Sequence, residues 1–129
     1  MKLLLSNNRL TRFSKSGDYA TTTDIALEGD MAATAAALLA WLQGQLAEGE
    51  SVSQVMMESD GQVATAYEVE VDAEGNEVQV ATAFRKRLSA AVSVNAPLGS
   101  RTFAVSSEAL PDELRDGLLA AWDAMEALP

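Results

Sequence analysis

The densest cluster of residues that could do chemistry lies in the segment EVEVDAEGNE, residues 68–77. Its oxygen-bearing side chains are Glu68, Glu70, Asp72, Glu74, Asn76 and Glu77. Oxygen ligands suit hard cations, but the spacing at the turn differs from that of a calcium-binding loop. Glu68 and Glu70 could serve acid–base catalysis only in a cleft that shifts their pKa values, and their alternation along a strand gives no sign of one. We expect neither a metal site nor a catalytic site here.

The composition narrows the possible chemistry further. The chain of 129 residues contains no Cys and no His, which excludes disulfides, thiol catalysis and His-based metal sites. Catalytic triads that depend on His are excluded for the same reason. The sequence also lacks the glycine patterns of Walker and Rossmann phosphate-binding loops. We predict that the protein is not an enzyme and uses no cofactor, metal or small-molecule substrate.

The charges are segregated along the chain, and the formal net charge is −10. Residues 1–15 hold four bases and no acid, and residues 16–84 hold thirteen acids and no base. Residues 85–101 again hold four bases and no acid, and the remaining segment is acidic. Such segregation favours association with other proteins, whereas the large negative charge would repel nucleic acid.

Two arrangements are compatible with this charge pattern. The basic segments could lie against the acidic ones within one molecule. Alternatively, an acidic face of one copy could meet a basic segment of the next, in a head-to-tail contact that closes into a ring. On the second interpretation we predict three groups of interaction residues. They are Arg9, Arg12, Phe13 and Lys15 on an N-terminal arm, Glu68, Glu70, Asp72 and Glu77 on a hairpin, and Arg85, Lys86 and Arg87 where the hairpin leaves its sheet.

The hairpin is predicted from period-two alternation on both sides of a Glu74-Gly75 turn, where Gly tolerates a positive φ. Centring the turn there sets Val71 opposite Val78 and Val69 opposite Val80. All the bulky residues would then share one face, which would join the core. The carboxylates would form the other face and meet a basic partner.

The remaining patterns predict a single domain over residues 1–129, with an α+β fold. Strands are expected at residues 2–5, 19–27, 51–57, 63–84 (the hairpin), 88–94 and 101–106, and a polar, basic extended arm at about 6–17. Apolar residues at helical spacing predict helices at residues 31–47 and about 111–128, with Trp41 and Trp122 on their apolar stripes. The expected architecture is an antiparallel sheet with two helices packed on one face.

Neither of the two apolar segments of the chain indicates a signal peptide or a membrane span. The N-terminal run of three leucines is shorter than the apolar region of a signal peptide. The low-charge stretch at residues 31–47 is interrupted by Gln43, Gly44 and Gln45, which favours a buried helix over a membrane span. We therefore expect the protein to stay in the cytoplasm of the cell that makes it.

Two spaced motifs resemble a known family. Gly29-Asp30, followed by Leu39-Ala40-Trp41-Leu42, forms the first motif. The second runs from Tyr67 through Val78 and Val80 to Arg87. On these motifs residues 19–87 resemble the tail-completion proteins of contractile-tailed temperate phages. Family members begin with an extra helix, which this chain replaces with MKLLLSNNRLTRF, and its C-terminal helix has no counterpart in them.

The resemblance implies a structural protein of a phage or prophage, made in the bacterial cytoplasm and then built into the virion tail. It would act at the head-proximal end of the tail, in contact with itself and with other tail proteins. Two other functions stay open. The chain could be an acidic inhibitor that mimics nucleic acid, or a small-molecule binding domain with a pocket between sheet and helices.

Overall fold

The computed structural model describes residues 1–129. It contains nine elements of secondary structure, formed where apolar residues alternate at strand spacing or recur at helical spacing. In chain order they are β1 (Lys2–Ser6), β2 (Arg9–Phe13), β3 (Thr22–Ile25), α1 (Gly29–Gly44), β4 (Ser51–Val71), β5 (Glu77–Ala96), β6 (Gly99–Ser106), a 3₁₀ turn (Ser107–Ala109) and α2 (Asp112–Glu126). The strands form one sheet in the order β3-β2-β1-β4-β5-β6, and every neighbouring pair is antiparallel. The predicted α+β fold is confirmed.

The core lies between one face of this sheet and the two helices. Alternate residues of β1, β2, β4 and β5 point into it, because successive side chains of a strand face opposite sides. Both helices contribute to the same buried cluster, α1 through Leu38 and Leu42 and α2 through Leu118, Trp122 and Met125. Trp122 is 1% exposed, so its predicted place in the core is confirmed. The two helices therefore cover the same face of the sheet.

The basic arm predicted at residues 6–17 contains a second strand, Arg9–Phe13, which is a correction. Asn7 and Asn8 have φ values of 50° and 59°, and two consecutive residues with positive φ make the tight turn that suits a two-residue hairpin. The turn folds Arg9–Phe13 back onto β1 as β2. Of the predicted arm, only residues after Phe13 form a loop.

Strands β4 and β5 are much longer than predicted. The segments at 51–57 and 63–71 were expected to be separate, yet they form one strand of 21 residues, paired with a strand of 20 residues. Register shifts in β4 leave Ser53, Asp60 and Thr65 as bulges, so the pairing continues across the polar stretch that resembled a break. Gly61, beside one bulge, has a φ of 102° that suits glycine.

The predicted register of the hairpin was wrong by one residue. Val71 lies opposite Glu77, and Val78 lies opposite Glu70. The loop is longer than the predicted two-residue turn, and Gly75, with a φ of 84°, takes the left-handed position near its end. Directly opposed residues share a face, so each face carries valines from one strand and carboxylates from the other. The hairpin has no separate apolar and acidic faces.

Candidate interaction surface

The outer half of the β4–β5 pair projects from the body of the protein. β1 pairs with β4 only as far as Glu58, and β6 pairs with β5 only from Ser89 onward. Beyond these points, residues 61–87 form a two-stranded hairpin, here called the ribbon. About eleven residues per strand at about 3.3 Å each give it a length of roughly 35 Å. None of residues 61–87 is buried, so neither face of the ribbon belongs to the core.

Large apolar side chains are concentrated on the ribbon. Tyr67, Val69, Val71 and Phe84 are each 58–69% exposed, and Val78 is 39% exposed. Only three other large apolar side chains in the chain are exposed: Tyr19, Leu98 and Leu128. Single exposed apolar residues are ordinary, but a concentrated set of them marks a surface that contacts another molecule.

The outer end of the ribbon is also acidic. Glu68, Glu70, Asp72, Glu74 and Glu77 lie there, and no base lies within 4 Å of any of their carboxylates. Asp72 has a structural role in the loop: its Oδ1 accepts hydrogen bonds from the backbone N–H groups of Glu74 (3.0 Å) and Asn76 (2.8 Å). The other four carboxylates have no hydrogen-bond partner in the molecule and are available to a partner.

At the root of the ribbon, Arg85 and Arg87 are held by acids of the same molecule. Arg85 donates to both carboxylate oxygens of Glu108, with a distance of 3.0 Å from Nε to Oε1. This hydrogen bond holds the pKa of the Glu108 carboxyl below its usual value. Arg87 Nε lies 3.5 Å from Asp60 Oδ2. These arginines fasten the ribbon to the 3₁₀ turn and to the bulge in β4.

Lys86, between them, faces the helix layer. Its Nζ lies 3.0 Å from Asp123 Oδ1 and 3.4 Å from Glu126 Oε1, both on α2. Partial burial lowers the pKa of Lys86, but the two carboxylates outweigh that effect and the pKa is raised. Glu126 also accepts a hydrogen bond from Trp122 Nε1. The ribbon root is therefore tied to α2 by two ion pairs, one of which shares its carboxylate with the buried Trp122.

Two of the four interaction residues predicted near the N-terminus are buried in the structure. Arg12 is 7% exposed and Phe13 is 8% exposed, so neither offers a surface to a partner. The Arg12 guanidinium instead donates to the carbonyl oxygens of Met125 (3.0 Å), Leu128 (3.2 Å) and Pro129 (2.7 Å) at the C-terminal end of α2. Arg9 pairs with Asp24 on the neighbouring strand.

Most of the positive charge is thus neutralised inside the molecule. Seven of the nine bases lie within 4 Å of a carboxylate: Lys2, Arg9, Arg85, Lys86, Arg87, Arg101 and Arg115. Arg12 is buried, and Lys15 alone is both exposed to solvent and without an acid partner. The basic segments lie against the acidic ones, as the first of the two charge arrangements predicted. A head-to-tail contact between copies would therefore lack the free basic patch that it requires.

The concave surfaces lie away from the ribbon. A groove of about 590 Å³ runs between the helices beside Asp30, Thr34, Gly117 and Ala124. A polar cleft of about 260 Å³ lies at the β1–β2 turn, beside Asn7 and Asn95. Between sheet and helices the voids are only about 10 and 20 Å³. No three His, Cys, Asp or Glu side chains are grouped so that they could hold a metal ion. Neither helix has the length and apolar character needed to cross a bilayer.

No family model, no curated protein and no solved structure matches the chain. The resemblance to tail-completion proteins therefore stays a prediction. Sequence reasoning located the acidic hairpin but missed its projection from the body. One signal was present: residues 61–87 contain no Leu, Ile or Met, whereas Met57 and Leu88 mark the core portions of β4 and β5.

Proposed function

We propose that the protein is a structural assembly protein of a phage or prophage, which takes part in completing the head-proximal end of a contractile tail. The observation that supports an assembly role is the ribbon, which presents exposed apolar side chains along a projection of roughly 35 Å. The resemblance supports the tail, since the ribbon lies within its span, residues 19–87. The role requires shape and binding, and no chemical step.

Under this proposal the folded body is a platform and the ribbon is the contact. The ion pairs of Arg85, Lys86 and Arg87 hold the ribbon root on the body, so the ribbon projects in one direction. A fixed direction reduces the entropy lost on binding, because the contacting side chains are already positioned. Arg85–Arg87 thus serve the interaction by orienting the ribbon rather than by touching the partner.

The nucleic-acid mimic is the second candidate, and one observation favours it. Clustered positive charge would hinder a mimic of phosphate, but the bases are paired within the molecule and the ribbon carries five carboxylates without an ion pair. Against it, valines stand between these carboxylates and an exposed tyrosine precedes them. Phosphate mimicry does not use exposed apolar side chains, whereas contact with a protein groove does.

The two candidates are separated by the target that the protein binds. Purified protein is mixed with tail tubes of the phage that encodes it, and binding is followed by co-sedimentation and electron microscopy. We expect the protein at one end of the tubes. The parallel assay measures whether it displaces duplex DNA from nucleases of the host. Displacement of DNA without binding to tubes would replace the tail role with the mimic role.

A further inference from the structure

We infer that the ribbon binds a surface of a different protein chain, one that combines apolar residues with basic ones, and not a second copy of this chain. The inference rests on the proposed assembly function and names the partner's chemistry. It is carried by the composition of the outer ribbon and by the pairing of the bases in the rest of the molecule.

The charge on the ribbon is the first property that restricts which kinds of molecule it can bind. Residues 66–84 carry five carboxylates and no base. Nucleic acids and anionic membrane surfaces are negative, so they would repel this element. A surface that carries Lys or Arg would instead be attracted, and long-range attraction would speed the encounter.

A second copy cannot supply that surface without loss. Seven of its nine bases are already in ion pairs, and Arg12 is buried beneath the end of α2. A contact between two ribbons would place like charges together, which is destabilising. The ribbon edges are also interrupted by bulges at Thr65 and Thr82. Bulges and charges are the devices that keep an exposed strand edge from pairing with copies of itself.

The apolar residues limit the partner second. Val69 and Val71 share one face of the ribbon, and Val78 and Val80 share the other. Because both faces expose valines, a flat partner would cover only half of them. A groove that encloses the ribbon covers both, with apolar walls for the valines and bases beside Glu68, Glu70 and Glu77. Apolar burial would supply the affinity, and the charges would supply selectivity.

The experiment compares the binding of matched variants to tail tubes of the encoding phage over a range of salt concentrations. The test variant is E68Q/E70Q/E77Q, which removes three ribbon charges without altering the loop residue Asp72. Its control, E28Q/D30N/E48Q, removes three unpaired acids from the body. We expect the test variant to bind roughly 10- to 100-fold more weakly and with a shallower salt dependence, as for the loss of a few partly buried charge pairs. The control should bind like the native protein.

A second measurement tests the identity of the partner. Sedimentation velocity of the protein alone should show no association that depends on the ribbon. Self-association that disappears when the ribbon is shortened would overturn the inference, because the occupant would then be a second copy. Equal tube binding by the native protein and E68Q/E70Q/E77Q would also overturn it, while the assembly function would stand. Failure of the native protein to bind tubes would remove both proposals.

Discussion

Arg12 allows a stringent test of how the C-terminal helix is held. Its guanidinium is buried and donates to three carbonyls at and beyond the last turn of α2, where a positive charge also complements the helix dipole. A hydrogen bond from a charged donor contributes about 1.5–3 kcal/mol. Leu128 and Pro129 are exposed, so their carbonyls can turn to water when Arg12 is replaced. Met125 is 3% exposed, and without Arg12 its carbonyl would keep only the long backbone hydrogen bond from Leu128 N–H (3.3 Å).

The expected cost of Arg12→Leu is therefore about 2–4 kcal/mol, the sum of one lost charged hydrogen bond to a buried carbonyl and the lost dipole interaction. For a domain of this size each kcal/mol lowers the melting temperature by roughly 4 °C, so we expect a decrease of roughly 8–16 °C. Urea unfolding followed by circular dichroism measures the free energy directly. Arg9→Leu is the matched control from the same strand, because its partner Asp24 is exposed and surface ion pairs contribute little. Equal stability of the two variants would refute the role assigned to Arg12.

Two further predictions concern a loop and the ribbon register. Arg101 donates two hydrogen bonds to Glu50, and with the backbone N–H of Ala47 this lowers the pKa of Glu50 from 4.5 to about 2. The contribution of the charged Glu50 to folding stability is complete above pH 4.5 and is lost as the pH falls toward 2. The melting temperatures of E50Q and the native protein should therefore converge near pH 2. A difference between the two melting temperatures that stays constant with pH would contradict this. In the ribbon, V69C/Q79C should form a disulfide on mild oxidation and V69C/V80C should not, as mass spectrometry would show; the reverse result would restore the register expected from sequence.

The sequence predicted the fold class because burial enforces periodicity wherever a strand or helix meets the core. The spacing of Leu118, Trp122 and Met125 identified α2, and alternation identified the core half of β5. The β1–β2 hairpin was missed although Asn7-Asn8 is a turn signal of the right kind. Its polar residues resembled a loop because β2 is short and basic.

The register of the ribbon was mispredicted for a different reason. A two-residue turn and a longer loop are both compatible with Gly75, and placing all valines on one face favoured the shorter one. That preference applies only when one face is buried. The ribbon lies outside the core, so burial exerts no such selection, and loop geometry set by Asp72 and Gly75 decides instead.

The partners of the basic residues could not be predicted from local sequence patterns. Lys86 meets Asp123 and Glu126 across 37 and 40 positions of sequence, and Arg12 meets Met125 across 113. Charge blocks along the chain showed that pairing was possible, but only the packing of α2 against the sheet shows which acid each base meets. The resulting contrast between a neutralised root and an acidic end of the ribbon became visible only in three dimensions.

A ribbon that binds a partner and contributes nothing to the core should be removable without loss of the fold. The most direct test replaces residues 64–84 with Asn-Gly, so that the pair Val63 and Arg85 closes a two-residue hairpin turn. No buried residue lies in the removed segment, so the melting temperature should stay within about 4 °C of the native value, while binding to tail tubes should be lost. Unfolding of this variant, or binding to tubes as tight as that of the native protein, would contradict the role assigned to the ribbon.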